Sequence, residues 1–97
     1  MSYIFEITDK TSRKIHLNKE RWKHITLKHP NMSDKLEHVK QALIDPLLIV
    51  PHKFDSTMKN YYIYYKLEKH YLLVSIKYLN GEGYAATAFI TRKIIRR

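Results

Sequence analysis

The sequence predicts an α+β domain: a short N-terminal β-hairpin, then two helices packed on one face of a mainly antiparallel sheet of about four strands. Three observations carry that expectation. Leu36, Val39, Ala42 and Leu43 recur at three- and four-residue spacing, the buried stripe of an amphipathic helix. In the second half the period changes: Tyr61–Leu67, His70–Leu79 and Tyr84–Thr91 have the aromatic and β-branched content of strands. Between the last two, Asn80-Gly81 signals a hairpin, because both residues tolerate positive φ.

Each element follows from local chemistry. Tyr3 to Thr8 alternates weakly and reads as a strand, Asp9-Lys10-Thr11-Ser12 as a polar turn, and Lys14-Ile15-His16-Leu17 as the returning strand. Asn18 is placed to cap a helix over Lys19–His29, which Pro30 ends by excluding the helical region at the residue before it. Ser33 is expected to cap the second helix, with Asp34 in its positive first turn, and Asp45-Pro46 to stop it. Leu47 to Val50 reads as a short strand ended by Pro51, and Asp55-Ser56-Thr57 as a loop. Glu68-Lys69 suits a tight turn. With no Gly/Ser linker, repeat or low-complexity tract, residues 1–97 are read as one domain.

Strand parity assigns faces. A two-residue turn at 68–69 pairs Leu67 with His70, Tyr65 with Leu72, Ile63 with Val74 and Tyr61 with Ile76, and that apolar face should meet the helices. Tyr62, Tyr64, Lys66, Tyr71, Ser75 and Lys77 fall on the other face. A two- or four-residue connection after Leu79 puts Ala85, Thr87, Phe89 and Thr91 on the helix side; a one-residue slip reverses them. On the first helix, Trp22, Ile25, Thr26 and His29 share an arc of about 100° and form the inward face. His24 and Lys28 lie on its flank. His24 and His29 are about 140° apart, so they cannot grip one ion from the same face, but they could border one cleft where the helix meets the end of the sheet.

Composition narrows the function classes. Hydrophobic residues at 44% and charged residues at 28% describe an ordinary globular chain rather than a disordered one. No apolar run reaches about 18 residues, and Met1 to Glu6 lacks signal-peptide features, so no membrane span and a cytoplasmic location are expected. The absence of cysteine excludes disulfides, thiolate metal sites and a cysteine nucleophile. Eighteen Lys and Arg against nine acidic residues give a net charge of +9, which favours a polyanionic partner such as RNA. Gly81 and Gly83 are the only glycines, so no glycine-rich phosphate loop exists and no nucleotide cofactor is expected. The six histidines include no His-x-x-x-His or His-Glu-x-x-His spacing, and no metal is expected.

Imidazole exchanges protons near neutral pH, so His24 and His29, with Lys28 between them, are candidates for acid–base chemistry on RNA. The bland alternative makes His29 a half-buried residue at a helix end and His24 a solvated one. Tyr62 and Tyr64, with Lys66 and Lys77, could stack bases and hold phosphates; the same tyrosines also suit plain strand packing. Thr87 and Thr91, followed by Arg92 and Lys93, could hold a phosphate at a strand end, or simply favour a strand. The tail from Arg92 to Arg97 reads as a basic arm.

Trp22-x-His24-Ile25-x-x-Lys28-His29-Pro30, Asp45-Pro46-x-x-Ile49, Tyr61-Tyr62-x-Tyr64, Tyr71-Leu72-x-Val74 and Thr87-Ala88-Phe89-x-Thr91 together resemble the barnase–EndoU–colicin–RelE-like nuclease superfamily, in its phage-associated and BrnT-like toxin branches. The resemblance spans Trp22 to Thr91. It implies a RelE-like fold and a metal-independent ribonuclease, often the toxin of a toxin–antitoxin pair with an acidic antitoxin-type partner. It would make His24 and His29 active-site residues, completed by Thr87 or Thr91. RelE itself relies on lysine, arginine and tyrosine around its sheet, and these have no one-to-one counterparts here. The resulting expectation is an endoribonuclease in which one histidine deprotonates the 2′-hydroxyl and the other protonates the leaving oxygen. Lys28 or Arg92 would neutralise the phosphorane and Thr91 orient it, leaving 2′,3′-cyclic phosphate ends. The rivals are a non-catalytic RNA-binding module on the Tyr62/Tyr64/Lys66/Lys77 face and an adaptor for an acidic protein.

Overall fold

The computed structural model describes residues 3–94. The chain runs β1 (Tyr3–Thr8), β2 (Lys14–Asn18), α1 (Lys19–Lys28), a single 3-10 turn (Pro30–Met32), α2 (Leu36–Ile44), β3 (Leu48–Pro51), β4 (Met58–Tyr65), β5 (His70–Leu79) and β6 (Glu82–Thr91). This is the α+β order of hairpin, helices and strands. The sheet is larger than expected: one mixed sheet of six strands in the order β1-β2-β6-β5-β4-β3. The N-terminal hairpin joins it through β2, whose Lys14, Ile15 and His16 pair in parallel with Glu82, Gly83 and Tyr84. A parallel pair needs a long crossover, so no local pattern announces it.

The ends of α1 form as capping chemistry dictates. The Asn18 side chain accepts a hydrogen bond from the Arg21 backbone N–H at 2.7 Å, and α1 stops two residues before Pro30. The second helix corrects the expectation at Ser33, because it begins at Leu36 with Lys35 at the cap. Ser33 instead closes the 3-10 turn, donating its backbone N–H to the Pro30 carbonyl at 3.2 Å. That turn buries Met32 completely, and core burial overrides the weaker capping signal of Ser33 and Asp34.

The β4–β5 connection is four residues long, not two. Tyr65 pairs with His70, and Lys69, at φ 56°, donates its N–H to the Tyr65 carbonyl at 2.8 Å. A two-residue change preserves parity, so Tyr61, Ile63, Tyr65, Leu72, Val74 and Ile76 still face the helices. There they pack with Ile15, Leu17, Ile25, Met32, Val39 and Leu43 in the main core.

The turn into β6 has the two-residue geometry that Asn80-Gly81 calls for, with φ 49° and 88° and Leu79 paired to Glu82. Pairing continues as expected to Ile76 with Ala85. The register then shifts between Ser75 and Ile76, leaving Ala86 as a bulge. Ser75 now opposes Thr87 and Val74 opposes Ala88. This corrects the expected parity: Thr87, Phe89 and Thr91 sit on the face away from the helices. Ala85 and Ala88, both fully buried, face the helices. Small residues there let α1 approach β6 closely, where Phe89 would not fit.

The face away from the helices has its own small core. Val50, Tyr62 and Leu73 are buried there, with Leu48, Tyr71, Phe89 and Ile94 packed against them.

Candidate nucleic-acid interface

β2 runs directly into α1, so the helix continues alongside β6 where β2 ends. One flank of α1 therefore borders the second face of the sheet. Near its start, the Arg21 guanidinium lies 5.7 Å from the Tyr84 ring centroid. At its C-cap, the His29 ring stacks on Phe89, with centroids 5.3 Å apart and planes 28° from parallel. His24 and Lys28 are exposed elsewhere on the helix. His24 lines a surface depression of about 450 Å³ with Arg21, Lys23 and Leu27. The structure therefore does not bring His24 and His29 to one cleft, which corrects the expectation that the two would border a shared site.

Beyond Phe89 the second face opens into a cavity of about 270 Å³, lined by His52, Lys53, Asn60, Ser75, Thr87 and Phe89 over an apolar floor that includes Leu73. Thr87 reaches it because of the bulge. Asn60 and Ser75 are buried in its wall, at 9% and 6% exposure. His52 enters from the loop after β3. Its backbone N–H donates to the Met58 carbonyl at 3.1 Å, and its Nδ1 lies 3.4 Å from the Phe54 N–H. The loop is pinned by Asp55. That carboxylate accepts hydrogen bonds from the Thr57 hydroxyl and, at 2.9 Å, the Thr57 N–H, and it pairs with Lys77 at 3.0 Å. The Thr57 hydroxyl, the Lys77 ammonium and the Thr57 amide together pull the Asp55 pKa down to about 2.

The remaining sequence candidates divide. Tyr62 is fully buried in the small core and presents no ring face to a base, which corrects its assignment as a stacking platform. Tyr64 is 44% exposed and leans against Tyr71, with centroids 4.9 Å apart. Lys66 is exposed in the β4–β5 turn. Lys77 is half-buried and holds Asp55, so it positions the loop instead of presenting a free cation. The Thr91 hydroxyl bonds the Lys93 backbone, donating to its carbonyl at 3.2 Å and accepting its N–H at 3.3 Å. This local turn ends β6 and leaves Arg92 and Lys93 exposed.

Sequence reasoning missed His52, Lys53, Asn60 and Phe89 as members of one site. The only available signal was Pro51-His52-Lys53, a proline stop followed by two polar groups that can bear positive charge. Its value depends on where β3 pairs, which is a long-range property.

Among the described residues, no three His, Asp or Glu side chains converge as a metal site, and no helix is long and apolar enough to cross a membrane. No family model, curated protein or solved structure matches the chain.

Proposed function

We propose that this protein is a metal-independent endoribonuclease acting on single-stranded RNA, with its reaction centre at the cavity beside Phe89. The observation that carries this is the convergence of His52, Lys53, Asn60, Ser75 and Thr87 around one concave site with an apolar floor, one of whose lining residues, Phe89, stacks on His29. The net charge of +9 supports an RNA substrate, and the motif resemblance to the RelE-like nucleases supports the reaction type, although it points to His24 where this proposal uses His52.

The chemistry asks for a base to take the 2′-hydroxyl proton, an acid to protonate the departing 5′ oxygen, and donors for the phosphorane. His29 and His52 fill the first two roles in this proposal, and Lys53 supplies the cation. The Ser75 and Thr87 hydroxyls and the Asn60 amide supply neutral donors around the phosphate. The 2′ oxygen attacks phosphorus, the P–O5′ bond breaks, and the products carry 2′,3′-cyclic phosphate and 5′-hydroxyl ends. His24 and Lys28 act at most as distant phosphate contacts. An acidic antitoxin-type protein fits the same basic surface as a partner.

The test is incubation of purified protein with end-labelled single-stranded RNA in EDTA. Cleavage leaving cyclic phosphate ends is expected. RNA that stays intact yet shifts on a gel would instead support a non-catalytic binding module, for which the exposed Tyr64 beside Tyr71 is the specific observation.

A further inference from the structure

At the other end of β6 from the cavity, four side chains from three strands and a helix gather on the second face. His16 of β2 is stacked under Tyr3 of β1, with centroids 4.4 Å apart and planes at 21°. Its other neighbour is Tyr84 of β6, at 6.2 Å and 36°. Arg21 of α1 closes the group over Tyr84. Between them lies a pocket of about 160 Å³ bordered by His16, Arg21 and Tyr84. All four residues are half-buried, so the rings are held in place while keeping a solvent-facing surface.

We infer that the Tyr3–His16–Tyr84–Arg21 cluster is a stacking subsite for a base of single-stranded RNA, a short way along the strand from the scissile bond. The inference rests on the proposed function. Because of the bulge, Tyr84 and Phe89 lie on the same face of one strand, opposite Lys77 and Leu73 and so about 13 Å apart by four steps of strand rise. That separation suits two ends of one extended strand of RNA running along β6. Aromatic faces accept any base, and an arginine beside them takes the adjoining phosphate. Glu6 lies opposite His16 in the hairpin register and is exposed, so a phosphate over β1 is disfavoured. The backbone of the bound strand therefore belongs on the Arg21 side. A duplex cannot use the site, because its bases are already stacked and its edges are turned inward.

The test measures fluorescence anisotropy of a labelled 2′-O-methyl hexaadenylate, which lacks the nucleophile and reports binding without cleavage. Tyr84→Ala should weaken binding about tenfold, the effect of one lost base stack, while Tyr84→Phe stays within about twofold of wild type. Arg21→Ala, which keeps the backbone N–H that donates to the Asn18 side chain, should lower the slope of log affinity against log salt by about one. Unchanged hexamer affinity in Tyr84→Ala together with an unchanged salt slope in Arg21→Ala overturns the subsite and leaves the nuclease proposal standing. Wild type that binds no hexamer overturns both. Displacement of the hexamer by micromolar adenosine monophosphate also overturns the subsite, reassigning the pocket to a free nucleotide.

Discussion

The His29 ring lies stacked on Phe89, 5.3 Å between centroids, and so fastens the end of α1 to the far face of the sheet. The contact depends on the bulge at Ala86. Without that extra residue Phe89 would point toward the helices, and Thr87 would leave the cavity. One inserted residue therefore decides both the packing of α1 and the membership of the candidate site.

The bulge can be tested by stability. Ala88 is fully buried under the helices, so Ala88→Leu overpacks that layer and should cost about 1–3 kcal/mol in urea unfolding. Thr87→Val, on the cavity side, should cost less than about 1 kcal/mol. The opposite ranking would mean that β6 continues in unbroken register.

A buried polar hub should govern the pH limits of stability. Asp9 is 4% exposed and accepts from the Tyr61 hydroxyl, from the Thr11 hydroxyl at 2.7 Å, and from the Thr11 and Arg13 amides at 2.9 and 3.0 Å. Burial works to raise its pKa, but these hydrogen bonds prevail and hold it below the ordinary 3.8. Its contribution is therefore complete above about pH 4 and disappears as pH falls through the folded-state value. Burial, then the bonds to Asp9 and Tyr78, push Tyr61 well above its usual 10.0. That contribution is complete below about pH 10 and is lost at higher pH. Asp9→Ala should cost about 1–3 kcal/mol at pH 7 by leaving buried donors unmatched, and should flatten the acid limb of a stability–pH curve.

What the sequence revealed, and what it hid, follows a physical division. Local chemistry was legible: the Asn18 cap, the stop before Pro30, the Asn80-Gly81 turn and the parity of Tyr61, Ile63 and Tyr65 all appear as read. Features set by distant partners were not. Nothing beside Lys14 announces its parallel pairing with Glu82, and nothing around Ala86 marks a bulge except the run of small residues. Tyr62 lies on the expected face, but Val50 and Leu73 make a second core there that periodicity alone does not show. His52 could be placed only once β3 was paired with β4.

Gly83 carries a steric constraint. A Cβ there would meet the Lys77 carbonyl oxygen at 2.7 Å and the Tyr78 and Ile15 side chains at 3.1 and 3.2 Å. Because the closest atom is backbone, Gly83→Ala must shift the β5–β6 ladder, at a cost of about 1–3 kcal/mol. It should also loosen the β2–β6 pairing, seen as faster amide exchange across Lys14–His16. Unchanged exchange would show that the approach at Gly83 is not tight.

The loop that carries His52 and Lys53 should depend on Asp55. Asp55→Ala removes the tie to Lys77 and should speed amide exchange at Lys53 and Phe54 while leaving the thermal midpoint in place. RNA cleavage should fall several-fold. Because the Asp55 pKa sits near 2, the tie is complete above about pH 4 and is lost only as pH falls toward 2, so it contributes no pH dependence near neutrality.

The most direct measurement compares single-turnover cleavage of one RNA in EDTA by wild type, His29→Ala, His52→Ala and His24→Ala. A reaction centre at the Phe89 cavity predicts losses of about a hundredfold or more for His29→Ala and His52→Ala, with His24→Ala within a few-fold of wild type. Loss of cleavage in His24→Ala with full activity in His52→Ala would contradict it and move the chemistry to the exposed flank of α1.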